Sequence, residues 1–253
     1  MRILITNDDG INAEGICALA RQLAAKHQVT VIAPDSERSG AAHSITLAVP
    51  LKVRKASIQG APEIEAYKIN GAPADCVIVG CRALGLKPDL IVSGINHGYN
   101  IGTDVHYSGT MNAAMEGAIQ GIPSMAVSME GFTSEDFSVP ARVADEIIPI
   151  FMDSGHMLFN VNVPNLPYEE LKGIKFTRLS DRTYYAPFEK RTDPRGIDYF
   201  WWPSRMDYEG EKDTDVDERW VMEGYVTVTP IMTNSTDVSA LNRLAGLYNK
   251  AKE

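Results

Sequence analysis

The stretch Ile3-Leu4-Ile5-Thr6-Asn7-Asp8-Asp9-Gly10 decides the fold, because a short apolar run ends directly in two carboxylates and a glycine. Such a run is typical of a buried strand in a parallel sheet. Ligands of open α/β sheets bind just beyond the carboxyl ends of these strands. The sequence therefore predicts acid chemistry at a strand end. The alternative is structural: Asp9-Gly10 forms a turn and Asp8 caps the following helix.

Strands and helices alternate along the first 165 residues. Apolar residues recur at helical spacing in four segments, and short apolar runs lie between them. This alternation predicts an α/β fold with a mainly parallel sheet that is covered by helices on both faces. The predicted helices lie within residues 16–24, 74–84, 111–119 and 139–152, and the predicted strands within 3–6, 29–33, 90–93, 124–128 and 158–163.

The pattern changes after residue 165. Strand-like pieces at 174–179, 197–202 and 225–229, with a charged stretch at 205–219, resemble antiparallel hairpins. We predict a core over residues 1–165, a hairpin-rich region over 166–231 and a C-terminal helix within 232–253. The tryptophans predict a subunit interface in the hairpin-rich region, although a monomeric core extension is the alternative. These tryptophans are Trp201, Trp202 and Trp220.

Composition limits the partners. With 24 basic and 33 acidic residues the net charge is −9, which argues against binding a nucleic acid polymer. No apolar segment is long enough to span a membrane and no signal-peptide pattern is visible, so we expect a cytoplasmic protein without a membrane partner. The odd number of cysteines, at spacings unlike metal sites, predicts inert thiols at Cys17, Cys76 and Cys81.

Oxygen ligands follow several predicted strands, and a parallel sheet would bring them to one edge. Two carboxylates, a hydroxyl and an amide oxygen make an all-oxygen, doubly negative set, which suits Mg²⁺ or Mn²⁺ better than zinc. The predicted metal ligands are Asp8, Asp9, Ser39 and Asn96.

Ser108-Gly109-Thr110 lies at the mouth of a predicted helix. Its backbone N–H groups and hydroxyls, with the helix dipole behind them, predict a phosphate cradle, although a simple N-cap is the alternative. His43, His97 and His106 are candidate proton donors, and none is preferred. Arg38 either contacts phosphate or is solvated.

Several familiar motifs are missing. The chain has no G-x-G-x-x-G after its first strand, no G-x-x-x-x-G-K-[ST] and no G-x-S-x-G. Adjacent acids stand where an aspartyl-phosphate phosphatase of the haloacid dehalogenase type needs D-x-D. Dinucleotide binding, a P-loop and a nucleophile elbow are therefore unsupported.

Five segments together resemble one family. They are ILITNDDGINAEGI, VIAPDSERSGAAHSIT, PDLIVSGINHGYNIGTDVHYSGTMNAAMEGAIQGIP, NVNVP and GYVTVTP. In this order they are similar to the SurE family of stationary-phase survival proteins, which are metal-dependent 5′-nucleotidases. One departure is visible: Gly71-Ala72-Pro73 stands where the family commonly has Gly-Thr-Pro, which affects loop contacts rather than the metal set.

The resemblance implies a Rossmann-like core and a C-terminal region that exchanges hairpins between subunits of a homodimer or homotetramer. It implies hydrolysis of nucleoside 5′-monophosphates, with 3′-nucleotides and polyphosphate as further substrates, and one Mg²⁺ or Mn²⁺ per subunit. By position, it places the metal ligands on the four residues named above. It places phosphate contacts on Ser39, Gly40, Asn96, Ser108, Gly109 and Thr110, and catalytic roles on Asp8, Asp9, Asn96, Ser108 and Thr110.

These observations predict a metal-dependent phosphomonoesterase acting on nucleotides. The attacking group is either water, activated by Asp8 or Asp9, or one of these aspartates acting as a covalent nucleophile. The alternative from another class is a non-catalytic nucleotide sensor that uses the same metal and helix mouth without turnover.

Overall fold

A computed structural model of the protein describes residues 1–131, 136–181, 188–202 and 215–250. Its main element is a nine-stranded sheet with the order β3-β4-β2-β1-β5-β6-β7-β11-β8. The five pairings from β4 to β7 are all parallel, which confirms the predicted α/β fold. The strands are β1 (Arg2–Thr6), β2 (Gln28–Pro34), β3 (Val53–Ile58), β4 (Ala61–Ile69), β5 (Leu90–His97), β6 (Ser124–Met129), β7 (Leu158–Val163), β8 (Ile174–Phe176), β9 (Glu189–Thr192), β10 (Asp198–Trp201) and β11 (Val226–Pro230).

Helices cover both faces of the sheet. Successive side chains of β1 alternate between the faces, so Ile3 and Ile5 pack with α1 and α4 whereas Leu4 packs with α2. The four helices predicted within the core are present, including the last one despite its internal Pro149. The helices are α1 (Glu14–Ala24), α2 (Pro73–Ile78), α3 (Gly109–Ile119), α4 (Ser138–Ser154), α5 (Asp217–Met222) and α6 (Val238–Lys250).

The C-terminal part only partly follows the predicted hairpin pattern. β11 pairs antiparallel with β7, and β8 pairs parallel with β11, so two of the three strand-like pieces extend the main sheet. The separate hairpin is β9–β10. Residues 205–214 of the charged stretch lie outside the described residues. The division at residue 165 therefore stays a prediction, with the main sheet continuing beyond it.

The cysteines and the possibility of a membrane-spanning helix were both considered from the sequence. All three cysteines are free; Cys17 and Cys76 are buried, and Cys81 is half-buried. Burial raises the pKa of the Cys76 thiol, which keeps it protonated. Within the described parts of the chain, no helix has both the length and the apolar character needed to cross a membrane.

Candidate metal and phosphate site

The acid pair lies directly beyond β1. Asn7 closes the turn that follows, since its side-chain oxygen accepts from the Gly10 N–H at 3.1 Å and its amide donates to the Gly10 carbonyl at 3.0 Å. The turn at Asp9-Gly10, which the structural alternative predicts, is therefore present. The capping role is not, because α1 starts after Ala13 without a side-chain cap. The Asp8 carboxyl group is therefore available for contacts outside α1.

Asp8 is buried against the mouth of α3. The Thr110 hydroxyl donates to a carboxyl oxygen of Asp8, and the backbone N–H groups of Gly109 and Thr110 also donate to this carboxyl group. Burial raises the pKa of Asp8, and these hydrogen bonds oppose that shift. A Cβ atom on Gly109 would lie 2.8 Å from Asp8 Oδ2, so only glycine permits this approach. The fold thus joins the first acid to the predicted cradle.

The pKa of the Asp9 carboxyl group is also strongly raised. Burial, followed by the negative charges of Asp8 and Glu37, raises the pKa of Asp9 to about 7, although a backbone hydrogen bond from His97 opposes the shift. Its Oδ2 atom is buried and has no hydrogen-bond partner within the protein. A buried oxygen of this kind needs a compensating partner. A cation is the partner that fits a carboxylate beside another carboxylate.

Asn96 lies near the end of β5, where the pairing with β6 shifts register between Ser93 and Asn96. Its amide nitrogen donates to the Gly98 carbonyl at 2.9 Å, which leaves the amide oxygen as the atom for a ligand. Because the Asp9 carboxyl group accepts from the backbone of His97, the residue after Asn96, the two predicted ligands are held on neighbouring strand ends.

The loop after β2 carries Ser39 and Gly40, both exposed. The Arg38 N–H donates to the Asp8 backbone carbonyl at 2.7 Å, which ties this loop to the acid pair. The Ser39 hydroxyl donates to Glu37 Oε1 at 2.8 Å. Its oxygen keeps its lone pairs and can still coordinate a cation. Ser39 is the predicted ligand that the structure fixes least.

The donor set as a whole fits a hard divalent cation, because all its donors are oxygens and one carboxylate oxygen lacks a partner. Across residues 1–131, 136–181, 188–202 and 215–250, no group of three or more His, Cys, Asp or Glu residues has metal-ligand geometry. The set predicted here has only two carboxylates, so it depends on neutral oxygens for the rest of its coordination.

Ser108 serves as the N-cap of α3, since its side-chain oxygen accepts from the Met111 N–H at 3.0 Å. Ser108 is therefore an N-cap, as the alternative predicts. An N-cap is compatible with phosphate binding at the same turn. Asn112 supports this turn by donating to the Ser108 carbonyl at 2.9 Å. The same side chain also donates to the Val105 carbonyl at 3.2 Å. Sequence reasoning did not find Asn112; an amide in the first turn of a helix was the available signal.

The candidate proton donors are placed differently. His43 Nε2 lies 3.0 Å from Glu116 Oε2 on α3, so this histidine joins its loop to the helix. The ring of His97 packs on Phe137 with centroids 4.9 Å apart. His106 is exposed. The Arg38 guanidinium lies 3.9 Å from Asp35.

A cluster of buried amides lies beside the site and was also missed. Asn160 and Asn162 on β7 donate to the Asn100 carbonyl at 2.7 and 3.2 Å. The Asn100 amide donates to Ser128 Oγ at 2.8 Å. The available signal was the pair of asparagines inside a strand that is otherwise apolar and buried on both faces. This cluster holds the loop that follows β5.

A cavity of about 300 Å³ lies elsewhere, between α1 and the start of α4. Glu14, Arg21 and Phe137 are among the residues that line it, and none of the predicted site residues does. Its walls include Glu14 at the start of α1 and Asp136 just before α4, and Asp136 already accepts from the Ser138 N–H at 2.9 Å. The chemistry at the strand ends makes that edge the better candidate.

Comparison with known proteins gives consistent results. The chain matches the family described as "Survival protein SurE" over residues 3–186. It is 46% identical over 252 residues to the 5′-nucleotidase SurE of Thermosipho melanesiensis, covering 98% of each chain. It is 43% identical to the 5′-nucleotidase SurE of Fervidobacterium nodosum, covering 100% of this chain and 99% of that one. The crystal structure of the SurE protein from Aquifex aeolicus is similar with a TM-score of 0.83 and 39% identity, over 98% of this chain and 100% of that chain.

Proposed function

Because this chain belongs to the SurE family, we propose that it is a 5′-nucleotidase that depends on one Mg²⁺ or Mn²⁺ per subunit. Its substrates are nucleoside 5′-monophosphates, with 3′-nucleotides and polyphosphate as further candidates, and its products are the nucleoside and phosphate. The single observation that carries the proposal is the contact of the buried Asp8 carboxyl group with Thr110 at the mouth of α3. This contact supports the proposal because it holds a carboxyl group that can bind a cation at the N-terminus of α3, whose positive dipole end favours a phosphate.

In this proposal Asp8, Asp9, Ser39 and Asn96 hold the cation. A cation held there would draw charge from the phosphoryl oxygens and so lower the barrier to attack at phosphorus and to departure of the nucleoside oxygen. The chain itself supplies orientation: Thr110 fixes the Asp8 carboxylate, and the backbone of Arg38 holds the Ser39 loop against Asp8. Preorganised groups of this kind stabilise a transition state without having to move when charge develops.

The phosphate contacts fall on Ser39, Gly40, Asn96 and residues 108–110. Ser108 presents the turn, and α3 behind it has its positive dipole end at the site. Water is the proposed attacking group. Asp8 already accepts from Thr110 and from backbone N–H groups, and Asp9 is assigned to the cation because its buried Oδ2 atom lacks a partner within the protein. The stereochemistry at phosphorus tests this choice: with a substrate whose phosphate is chiral by isotopic labelling, inversion supports a single attack by water, and retention, which two successive displacements give, contradicts it.

Self-association through the C-terminal part belongs to the same proposal. Phe200, Trp201 and Trp202 are exposed at β10, and α6 has no buried residue among those described. Aromatic and leucine side chains exposed in this number are typical of subunit contacts. We therefore retain the homodimer or homotetramer with exchanged hairpins, together with the expected cytoplasmic location, as predictions.

Phosphate release from a panel of nucleoside monophosphates tests the function. Wild type and Asp8→Asn are assayed with Mg²⁺, Mn²⁺ or EDTA, and Asp153→Asn on an exposed helix end serves as the charge-matched control. We expect metal-dependent release that Asp8→Asn lowers by about 10³-fold or more, with the control unchanged. Nucleotide binding without release in any condition would instead support the sensor.

A further inference from the structure

Asp217 is a fully buried acid far from the metal set in sequence. It is the first residue of α5 and has no solvent exposure. Three backbone N–H groups donate to its carboxylate: Glu218 and Ser180 to Oδ1 at 2.9 and 3.0 Å, and Gly102 to Oδ2 at 2.9 Å. A buried carboxylate requires such donors. Two of them come from segments 37 and 115 residues away.

These donors connect two regions of the protein. Ser180 lies where the chain leaves the main sheet toward β9–β10, and Asp217 lies where it returns. These two segments, residues 178–180 and 215–218, form what we call the neck of the hairpin segment. They are also joined by the Asp217 N–H, which donates to the Arg178 carbonyl at 3.0 Å. Gly102, by contrast, starts the short 3₁₀ helix Gly102–His106, which leads directly into Ser108. One carboxylate therefore ties the neck of the hairpin segment to the loop before the phosphate cradle.

The same loop is also attached to the main sheet. Two residues earlier, the Asn100 N–H donates to Asn162 Oδ1 at 2.8 Å, and its carbonyl accepts from the amide cluster on β7. Asn100 thus attaches the loop to the sheet, whereas Gly102 attaches it to Asp217. Further along the loop, the Ala42 N–H donates to the Tyr107 carbonyl at 3.0 Å and Asn112 donates to the Val105 carbonyl at 3.2 Å. The bond to Asp217 is made at Gly102, where the 3₁₀ helix begins.

On the basis of the proposed function, we propose that Asp217 is a positioning residue that couples the hairpin segment to the phosphate-binding mouth of α3. It touches neither the cation ligands nor the proposed phosphate contacts. It acts through Gly102, because the position of Gly102 determines where the 3₁₀ helix places Ser108. Displacements of about 1 Å at a reacting group lower rates by about 10²-fold. Coupling of this kind makes phosphate affinity depend on how the hairpin segment is held.

An asparagine at this position separates the two attachments. A carboxamide has one acceptor oxygen, and that oxygen is best placed toward the two donors of Ser180 and Glu218. Its NH₂ group would then face the Gly102 N–H, so Asp217→Asn breaks the attachment to the loop and keeps the neck. Asp215→Asn is the matched control, because it removes the same charge two residues earlier from a side chain that is 68% exposed and paired with Arg178.

Steady-state kinetics, inhibition by inorganic phosphate and amide hydrogen exchange of the full chain test the inference. For Asp217→Asn we expect KM and the phosphate inhibition constant to rise by about tenfold. We also expect faster exchange confined to residues 98–107. For Asp215→Asn we expect wild-type values.

Wild-type exchange at residues 98–107 in Asp217→Asn would overturn the coupling. Acceleration spread evenly over the chain would overturn it as well, because it indicates a purely structural role. An unchanged phosphate inhibition constant despite local acceleration would also overturn it. A wild-type enzyme that releases no phosphate fails differently, since that result rejects the proposed function whatever the exchange pattern.

Discussion

Two regions differ in how completely a single chain buries them. One is the sheet edge that carries Asp8 and Asp9, here called the acid edge, and the other is the C-terminal part with β10 and α6. At the acid edge, Asp8 is 3% exposed and its hydrogen-bond donors come from the same chain. At the C-terminal part, Trp202 is 68% and Leu244 61% exposed. Apolar area left in water loses the main driving force of folding. This difference supports the proposed small ligand at the first region and the proposed subunit contact at the second.

Breaking the acid edge at its closest contact should have the largest effect. Gly109→Ala places a Cβ atom 2.8 Å from Asp8 Oδ2, so the carboxylate or the helix mouth must shift. We expect kcat/KM for nucleotide hydrolysis to fall by about 10²-fold while the fold is retained. Kinetics together with circular dichroism check this. Full activity in Gly109→Ala would mean that the contact between acid and helix mouth is unimportant.

Breaking the C-terminal surface should change assembly. Leu244→Asp introduces a charge among the apolar side chains of α6, and Asn242→Asp introduces the same charge elsewhere on the helix as a control. We expect Leu244→Asp to shift the mass measured by light scattering toward 27.7 kDa, and Asn242→Asp to leave it unchanged. A wild-type protein that is already a monomer at this mass would contradict the comparison.

The raised pKa of Asp9 makes the stability of the acid edge depend on pH. Its pKa is about 7 in the folded chain against 3.8 for an unperturbed aspartate, so folding retains a proton that the unfolded chain loses between these values. Stability without a divalent cation therefore falls as pH rises from 4 to 7, and the whole penalty is present above pH 7.

Asp9→Asn removes this penalty. In EDTA at pH 8 we expect its Tm to exceed that of wild type by about 9 °C, the lower end of what such a shift gives for a chain of this length. At pH 4 the two proteins should differ little. Thermal unfolding at both pH values checks the prediction, and an equal difference at pH 4 and pH 8 would contradict it.

The smallest expected effect concerns Ala72, the residue that departs from the family pattern. It occupies the N-cap of α2 with φ −75° and ψ 164°, and it offers no side-chain cap. Ala72→Ser should stabilise the protein by about 1 kcal/mol, because a hydroxyl at this position accepts from the first turn. Denaturant unfolding measures the change. An unchanged or lower midpoint would show that another donor already satisfies this turn.

Local patterns predicted the core of the fold well because each predicted element carried its own signal. The run Ile3 to Thr6 and the helical spacing around Ile16 both correspond to elements that pack as expected. β8 and β11 were harder, because a three-residue strand has almost no periodicity and its parallel pairing depends on partners about 50 residues away. Tertiary context decides such pairings.

The candidate site divides in the same way. Asp8, Asp9 and residues 108–110 could be predicted because strand ends and helix starts are local features. The contact between Asp8 and Thr110 spans 102 residues and depends on the packing of α3 beside β1. Asn100 and Asp217 gave no motif, since their importance comes from donors and acceptors that only the folded chain brings together.

Calorimetric titration of Mn²⁺ into wild type and Asp9→Ala tests the central claim most directly, namely that the acid pair beyond β1 holds the cation. We predict one Mn²⁺ per chain in wild type and an affinity at least about 100-fold lower in Asp9→Ala, because one of only two carboxylates is lost. Equal Mn²⁺ affinity in the two proteins would contradict the assignment.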